Sequence, residues 1–252
     1  MRFACLGSGS EGNGLVVEAG STRVLLDCGF GLADSIARLA RLQLQASDLA
    51  GIVVTHEHSD HIGGVGRLAR KHKLPVWLTA GTLAMAQDLD GVAVQVIDSH
   101  AAFAVDDLEI QPFPVPHDAR EPVQYVFGDG DRRLGVLTDA GCGTPHIEAM
   151  LCGVDALVLE CNHDAQMLEN GPYPASLRRR VGGRFGHLEN GQSAALLDKL
   201  KHEKLRCVMA AHVSKKNNTP ALAQRALAQV LDCADEDVRV ACQTTGFDWI
   251  QV

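Results

Sequence analysis

The stretch VVTHEHSDHIGG, residues 53–64, sets His56, His58, Asp60 and His61 side by side directly after an apolar run. In an extended or turning backbone, residues two apart project to the same side. His56 and His58 can therefore grip one ion, and Asp60 and His61, on the next turn, can face a second. Neutral imidazole and carboxylate are donors for zinc-like metals, which keep an open position where chemistry occurs. So many polar groups at the end of a buried strand gain little stability on their own. The motif reads as a metal loop.

The same arrangement, a short apolar run ending in a residue able to do chemistry, recurs along the chain. TRVLLD ends at Asp27, LEIQPFPVPH at His117, RLGVLTD at Asp139, DALVLECNH at Asn162 and His163, and LRCVMAAH at His212. Runs of this length and composition read as buried strands. Strands that deliver polar side chains to one rim build the sites of layered α/β folds. Between them lie helical patterns. NTPALAQRALAQVLDCA opens with Thr219 as N-cap and Pro220 at the first helical position, and NGQSAALLDKLKHEK has Asn190 or Gly191 in the capping place. QYVFGDGDRRLGVLT reads as a hairpin. Gly7, Gly9 and Gly12 form a G-x-G-x-x-G. A dinucleotide fingerprint needs a helix next, whereas LVVEAGSTRVLLD reads strand, turn, strand. The loop instead offers Ser8, Ser10, Asn13 and backbone N–H groups to a substrate anion.

The 252 residues are 46% hydrophobic and only 4% aromatic, so one α/β domain over 1–252 must build its core from aliphatic side chains. No apolar run reaches the ~18 residues of a membrane span, and the N-terminus has no signal-peptide pattern. Eight cysteines without a C-x-x-C pair read as reduced thiols, which points to the cytoplasm. The net charge of −8 argues against coating nucleic acid by bulk charge, but not against a local basic groove. No membrane and no protein partner is indicated.

THEHSDHIGG resembles the signature of the metallo-β-lactamase superfamily. That resemblance implies a four-layer αβ/βα sandwich with a dinuclear metal site at the sheet edge. It implies that His56, His58 and His117 hold one divalent ion, that Asp60, His61 and His212 hold the other, and that Asp139 bridges them, with Asp27 orienting the loop. Mixed nitrogen and oxygen donors suit Zn²⁺ and Mn²⁺ alike. Asp60, Asp139 and a further histidine, His187, are the expected catalytic residues.

Within the superfamily, a secreted β-lactamase needs an export signal. A diiron redox member usually carries a further carboxylate where Ser59 stands. A nuclease with a large inserted cap needs more chain between Asp139 and His212 than is present. Two basic clusters flank the expected site. Arg178, Arg179, Arg180 and Arg184 precede His187, and Lys215, Lys216 and Asn217 follow His212. Such groups suit a polyanionic backbone. NHD, GPYP, GHLEN and HVSKKNN resemble the YycJ-like (WalJ) subfamily, which implies DNA exonuclease activity, 5′ to 3′. Arg178, Arg184, His187, Asn190, Ser214, Lys215 and Asn217 become expected substrate contacts. Glu189 departs from the pattern, which has Ser after GHL. The alternatives are a small-molecule phosphodiesterase or thioester/lactone hydrolase, and a nucleic-acid-binding module with a structural metal.

Overall fold

The aliphatic runs fold as strands in a computed structural model that describes residues 1–252. β1 (Arg2–Gly7), β2 (Gly14–Ala19) and β3 (Thr22–Leu26) form an antiparallel meander. β4 (Gly51–Val53), β5 (Val76–Thr79) and β6 (Val94–Ile97) extend it in parallel. The second sheet repeats the plan. β7 (Phe103–Val105), β8 (Leu108–Pro114), β9 (Val123–Gly128) and β10 (Arg133–Leu137) are antiparallel, and β11 (Ala156–Glu160), β12 (Cys207–Ala211) and β13 (Arg239–Val240) follow in parallel. β14 (Phe247–Gln251) returns to close the β1 edge of the first sheet.

Strands covered on both faces read as continuous apolar runs rather than alternating ones, and β2 and β11 are buried at every position. The helices supply the outer cover. α1 (Leu32–Arg41), α2 (Ser59–Ile62), α3 (Val65–His72) and α4 (Ala80–Met85) belong to the first half. α5 (Pro145–Leu151), α6 (Ala165–Asn170), α7 (Ala175–Val181), α8 (Asn190–Leu200) and α9 (Pro220–Leu231) belong to the second. Three cores result. Phe3, Leu108, Tyr125 and Val158 pack between the sheets, Leu25, Leu39, Ile52 and Leu68 between the first sheet and its helices, and Leu137, Leu157, Leu197 and Leu227 between the second sheet and its helices. Each such side chain contributes about 1.5–3 kcal/mol of burial free energy. This is the four-layer αβ/βα sandwich that the resemblance implied. No helix is long and apolar enough to cross a membrane.

Local signals held in detail. Thr219 accepts from the Leu222 N–H at the start of α9, with Pro220 behind it. After the glycine loop the chain enters β2 and turns directly into the antiparallel β3, with no helix between, as the strand–turn–strand reading required. At α8 the cap lies one residue earlier than expected. Glu189, not Asn190 or Gly191, accepts from the Gln192 N–H, and the Gln192 side chain accepts from the Glu189 N–H. The residue that departs from the family pattern is therefore occupied in capping. At the rim, the Tyr125 hydroxyl donates to the Val54 carbonyl (2.7 Å) and the Val123 N–H to the Thr55 carbonyl (3.1 Å). These bonds fasten the second sheet to the segment that leads into His56.

Candidate active site

Three of the expected site residues stand just beyond strand ends with left-handed backbone: Asp27 after β3 (φ 60°), Asp139 after β10 (φ 50°) and His212 after β12 (φ 53°). Non-glycine residues seldom adopt this region, and Asp and His tolerate it better than β-branched ones. The sharp turn ends each strand and sends its side chain along the rim. The metal loop needs room as well. A Cβ on Gly29 would come within 1.9 Å of the Asp60 carbonyl, so only glycine lets the two segments lie against each other.

The seven expected donors converge. His58 Nδ1 lies 3.0 Å from His56 Nε2 and 3.2 Å from His117 Nε2. Asp60 Oδ2 lies 3.5 Å from both His61 Nε2 and His212 Nε2. Asp139 stands between the two groups, with Oδ1 4.0 Å from His117 Nε2 and 3.5 Å from His212 Nε2, and Oδ2 3.1 Å from His61 Nε2. Two buried atoms in the cluster, Asp139 Oδ2 and His212 Nε2, have no hydrogen-bond partner. His61 is close to the first but not aligned to donate to it. Orphaned buried polar atoms are costly, and a divalent cation is what this donor set fits.

Three of the imidazoles are aimed from behind. Thr55 Oγ1 donates to Asp27 Oδ2 (2.9 Å) and lies 2.9 Å from His56 Nδ1, so it accepts from that ring. Asp27 Oδ2 also takes His61 Nδ1 at 2.8 Å, and the Gly186 carbonyl takes His117 Nδ1 at 3.0 Å. Such partners set which ring nitrogen keeps its lone pair for a metal. Burial and the neighbouring His61 hold His56 well below the usual imidazole range, which keeps it neutral. Burial opposes ionisation of Asp139, but the charges of His212 and His61 outweigh it and hold the carboxyl well down.

Glu160, the last residue of β11, was passed over in the sequence. It has no solvent exposure. Its Oε1 lies 2.8 Å from His187 Nδ1 and 3.4 Å from His212 Nδ1, and its Oε2 accepts from the Ala140 and Leu188 N–H groups. Burial works against its charge, yet His187 outweighs it and the pKa falls to about 2. The signal that could have found it is the one that found Asp27: an acidic residue at the end of an apolar run. The run DALVLECNH carries the eye past it to Asn162 and His163. Asn162 donates to the His212 carbonyl, and buried His163 is pushed down to about 4 by burial.

Above the donors lies a cavity of about 360 Å³, with Ser10, Asp60, Asp139, His187 and His212 among its lining and Tyr173, Leu177, Arg180 and Val181 forming a wall from α7 and the turn before it. Of the basic run, Arg180 reaches this cavity, where its Nε pairs with Asp118 Oδ2. Arg178 donates to the Glu169 carbonyl, and Arg184 is exposed outside the lining. Lys215 pairs with Glu11 at the surface. Several expected substrate contacts are buried elsewhere. Ser8 Oγ accepts from the His212 N–H and donates to Asn13 Oδ1, and Asn13 ties the loop to Asp60. Asn190 and Asn218 exchange reciprocal amide bonds. Ser214 Oγ accepts from the Lys216 and Asn217 N–H groups, and the Asn217 side chain is wholly buried.

The family model described as "Beta-lactamase superfamily domain" matches residues 22–210. The chain is 36% identical over 238 residues to the exodeoxyribonuclease YycJ of Bacillus anthracis, covering 92% of this chain and 89% of that one. It is 30% identical to the exodeoxyribonuclease WalJ of Streptococcus pneumoniae, covering 95% and 91%. Among solved structures it resembles Zn²⁺-bound PqqB from Methylobacterium extorquens, with a TM-score of 0.75 at 18% identity over the whole of both chains.

Proposed function

The chain belongs to the metallo-β-lactamase superfamily, in its YycJ-like (WalJ) branch, and from that premise we propose that it is a dinuclear metal-dependent exonuclease of DNA, acting 5′ to 3′ in the cytoplasm. The observation that carries this reading is the wall of the cavity. Arg180 and His187 share with the donors His58, Asp60, Asp139 and His212 the lining of a space of about 360 Å³ that opens to solvent, which suits a phosphodiester backbone.

His56, His58 and His117 would hold one divalent ion, zinc or manganese, and Asp60, His61 and His212 a second, with Asp139 within reach of both groups; such ions would supply Lewis acidity to the reaction. The chain does the rest. Glu160 holds His187 Nδ1, which leaves Nε2 to donate to a phosphate oxygen as its charge grows. Burial disfavours the imidazolium of His187, but Glu160 outweighs it and raises the pKa, so the ring keeps the proton it must deliver. Arg180 meets the backbone phosphate once it leaves Asp118, and Ser10 adds a hydroxyl to the same lining. Ser8, Asn13, Asn190, Ser214 and Asn217 act by holding the loops that carry these groups.

The test is metal-loaded protein against 5′- and 3′-labelled single- and double-stranded DNA, RNA, a generic phosphodiester and a thioester. The reading expects mononucleotide release from the 5′ end of DNA, abolished by chelator. Turnover confined to the thioester or the small diester overturns it.

A further inference from the structure

Phe185 leaves 62% of its surface in solvent, more than any other large apolar side chain of the molecule. Burying such a ring is ordinarily favourable by about 1.5–3 kcal/mol, so its display calls for a reason. The segment that carries it is rigid. The Gly186 N–H donates to the Gly183 carbonyl (2.8 Å), and the His187 N–H to the Val181 carbonyl (2.9 Å). The Gly186 carbonyl takes His117 Nδ1. On the other side, a Cβ on Gly141 would come within 2.3 Å of the Arg184 carbonyl and 2.5 Å of the Phe185 nitrogen, so the peptide between Arg184 and Phe185 lies flat against the loop that bears Asp139. An aromatic ring without a core partner is thus fixed two residues from His187.

Its surroundings select the ligand. Arg184, its neighbour in sequence, and Arg179, on α7, are exposed, and Arg180 lines the adjoining cavity, in a chain whose net charge is −8. A protein partner would call for a broad apolar patch, whereas here one ring stands among cations. That pairing suits a polyanion with a flat aromatic group on each repeat. We propose that Phe185 stacks on an unpaired base of a single-stranded DNA end, setting the adjoining phosphate at His187. This rests on the exonuclease reading and adds the strand type and the residue that registers it. Bases in a duplex are already stacked on each other, so the ring favours a single strand or a frayed end.

The experiment compares the wild type with Phe185→Ala, Phe185→Leu and Phe185→Trp, using an oligonucleotide with 2-aminopurine at its end. Binding is read by quenching in chelator, and hydrolysis with metal restored. Loss of a base–aromatic stack is worth a factor of about 5 to 100 in affinity. Phe185→Ala and Phe185→Leu should weaken binding by that factor and lose the quenching, while Phe185→Trp retains both. Metal content should stay at the wild-type value in all three. If the leucine variant matches the wild type, or if a blunt duplex depends on Phe185 as strongly as a single strand, the stacking role is overturned. Variants indistinguishable from an active wild type overturn it alone, whereas a wild type that neither binds nor cleaves DNA overturns the exonuclease reading with it.

Discussion

His187 Nδ1 lies 2.8 Å from Glu160 Oε1, and Glu160 is sealed from solvent, so the protonation of the one is set by the charge of the other. His187→Ala should keep its metal and lose kcat by about 10²–10³-fold, the usual cost of removing one donor from a developing charge. Glu160→Gln should lower kcat by about 10–100-fold. Because the two act as one unit, the double variant should be no slower than His187→Ala alone. Metal analysis and single-turnover kinetics check this, and fully additive losses would mean that the residues act separately.

Asp139 reaches both groups of imidazoles, so its removal should be felt by both ions. Elemental analysis of protein purified without chelator should find close to two equivalents of transition metal in the wild type and a loss of both in Asp139→Ala. Full activity with one equivalent after reconstitution would end the dinuclear reading.

Arg180, rather than Arg178 or Arg184, lines the cavity. Arg180→Ala should raise KM for DNA and flatten the log–log salt dependence of binding by roughly 0.7–0.9, the share of one phosphate contact. Arg178→Ala, whose guanidinium is spent on the Glu169 carbonyl, should leave that slope unchanged. Asp118→Asn frees Arg180 from its ion pair and should tighten DNA binding. Titrations of labelled DNA at several salt concentrations decide between the arginines.

Cys242 is exposed, and hydrogen bonds from Thr244 and Thr245 lower its thiol to about 6, whereas burial pushes Cys5 and Cys161 up to about 12. The nucleophile is the thiolate. Iodoacetamide should therefore modify Cys242 ahead of the buried thiols, with a rate that climbs as pH rises through about 6 and then levels off. Peptide mapping across pH 5–8 reads the profile, and a fast phase that survives in Cys242→Ser would assign it elsewhere.

The legible part of this molecule was the part written in continuous runs. Asp27, His56, Asp139 and His212 each close an apolar strand, so strand ends and site donors came from a single pattern. Glu160 also closes one, but its carboxylate reads as an ordinary strand terminus until His187, which lies beyond two intervening helices, is folded against it. The arginine run showed why composition does not give direction. Three consecutive arginines on one helix turn point three ways, and only the packing of α7 against Asp118 selects Arg180. In sequence, Ser8 and Asn13 read as groups that the loop offers to a substrate anion. Their side chains turned inward because the loop closes over the metal-loop backbone at Asp60.

The bond from the His212 N–H to Ser8 Oγ joins residues 204 positions apart. During synthesis the loop that bears Ser8 must wait for this partner until His212, the last of the seven donors in chain order, has left the ribosome. An enzyme that hydrolyses nucleic acid would thus be translated as an inert precursor, its donor set complete only when His212 docks on the loop at Ser8.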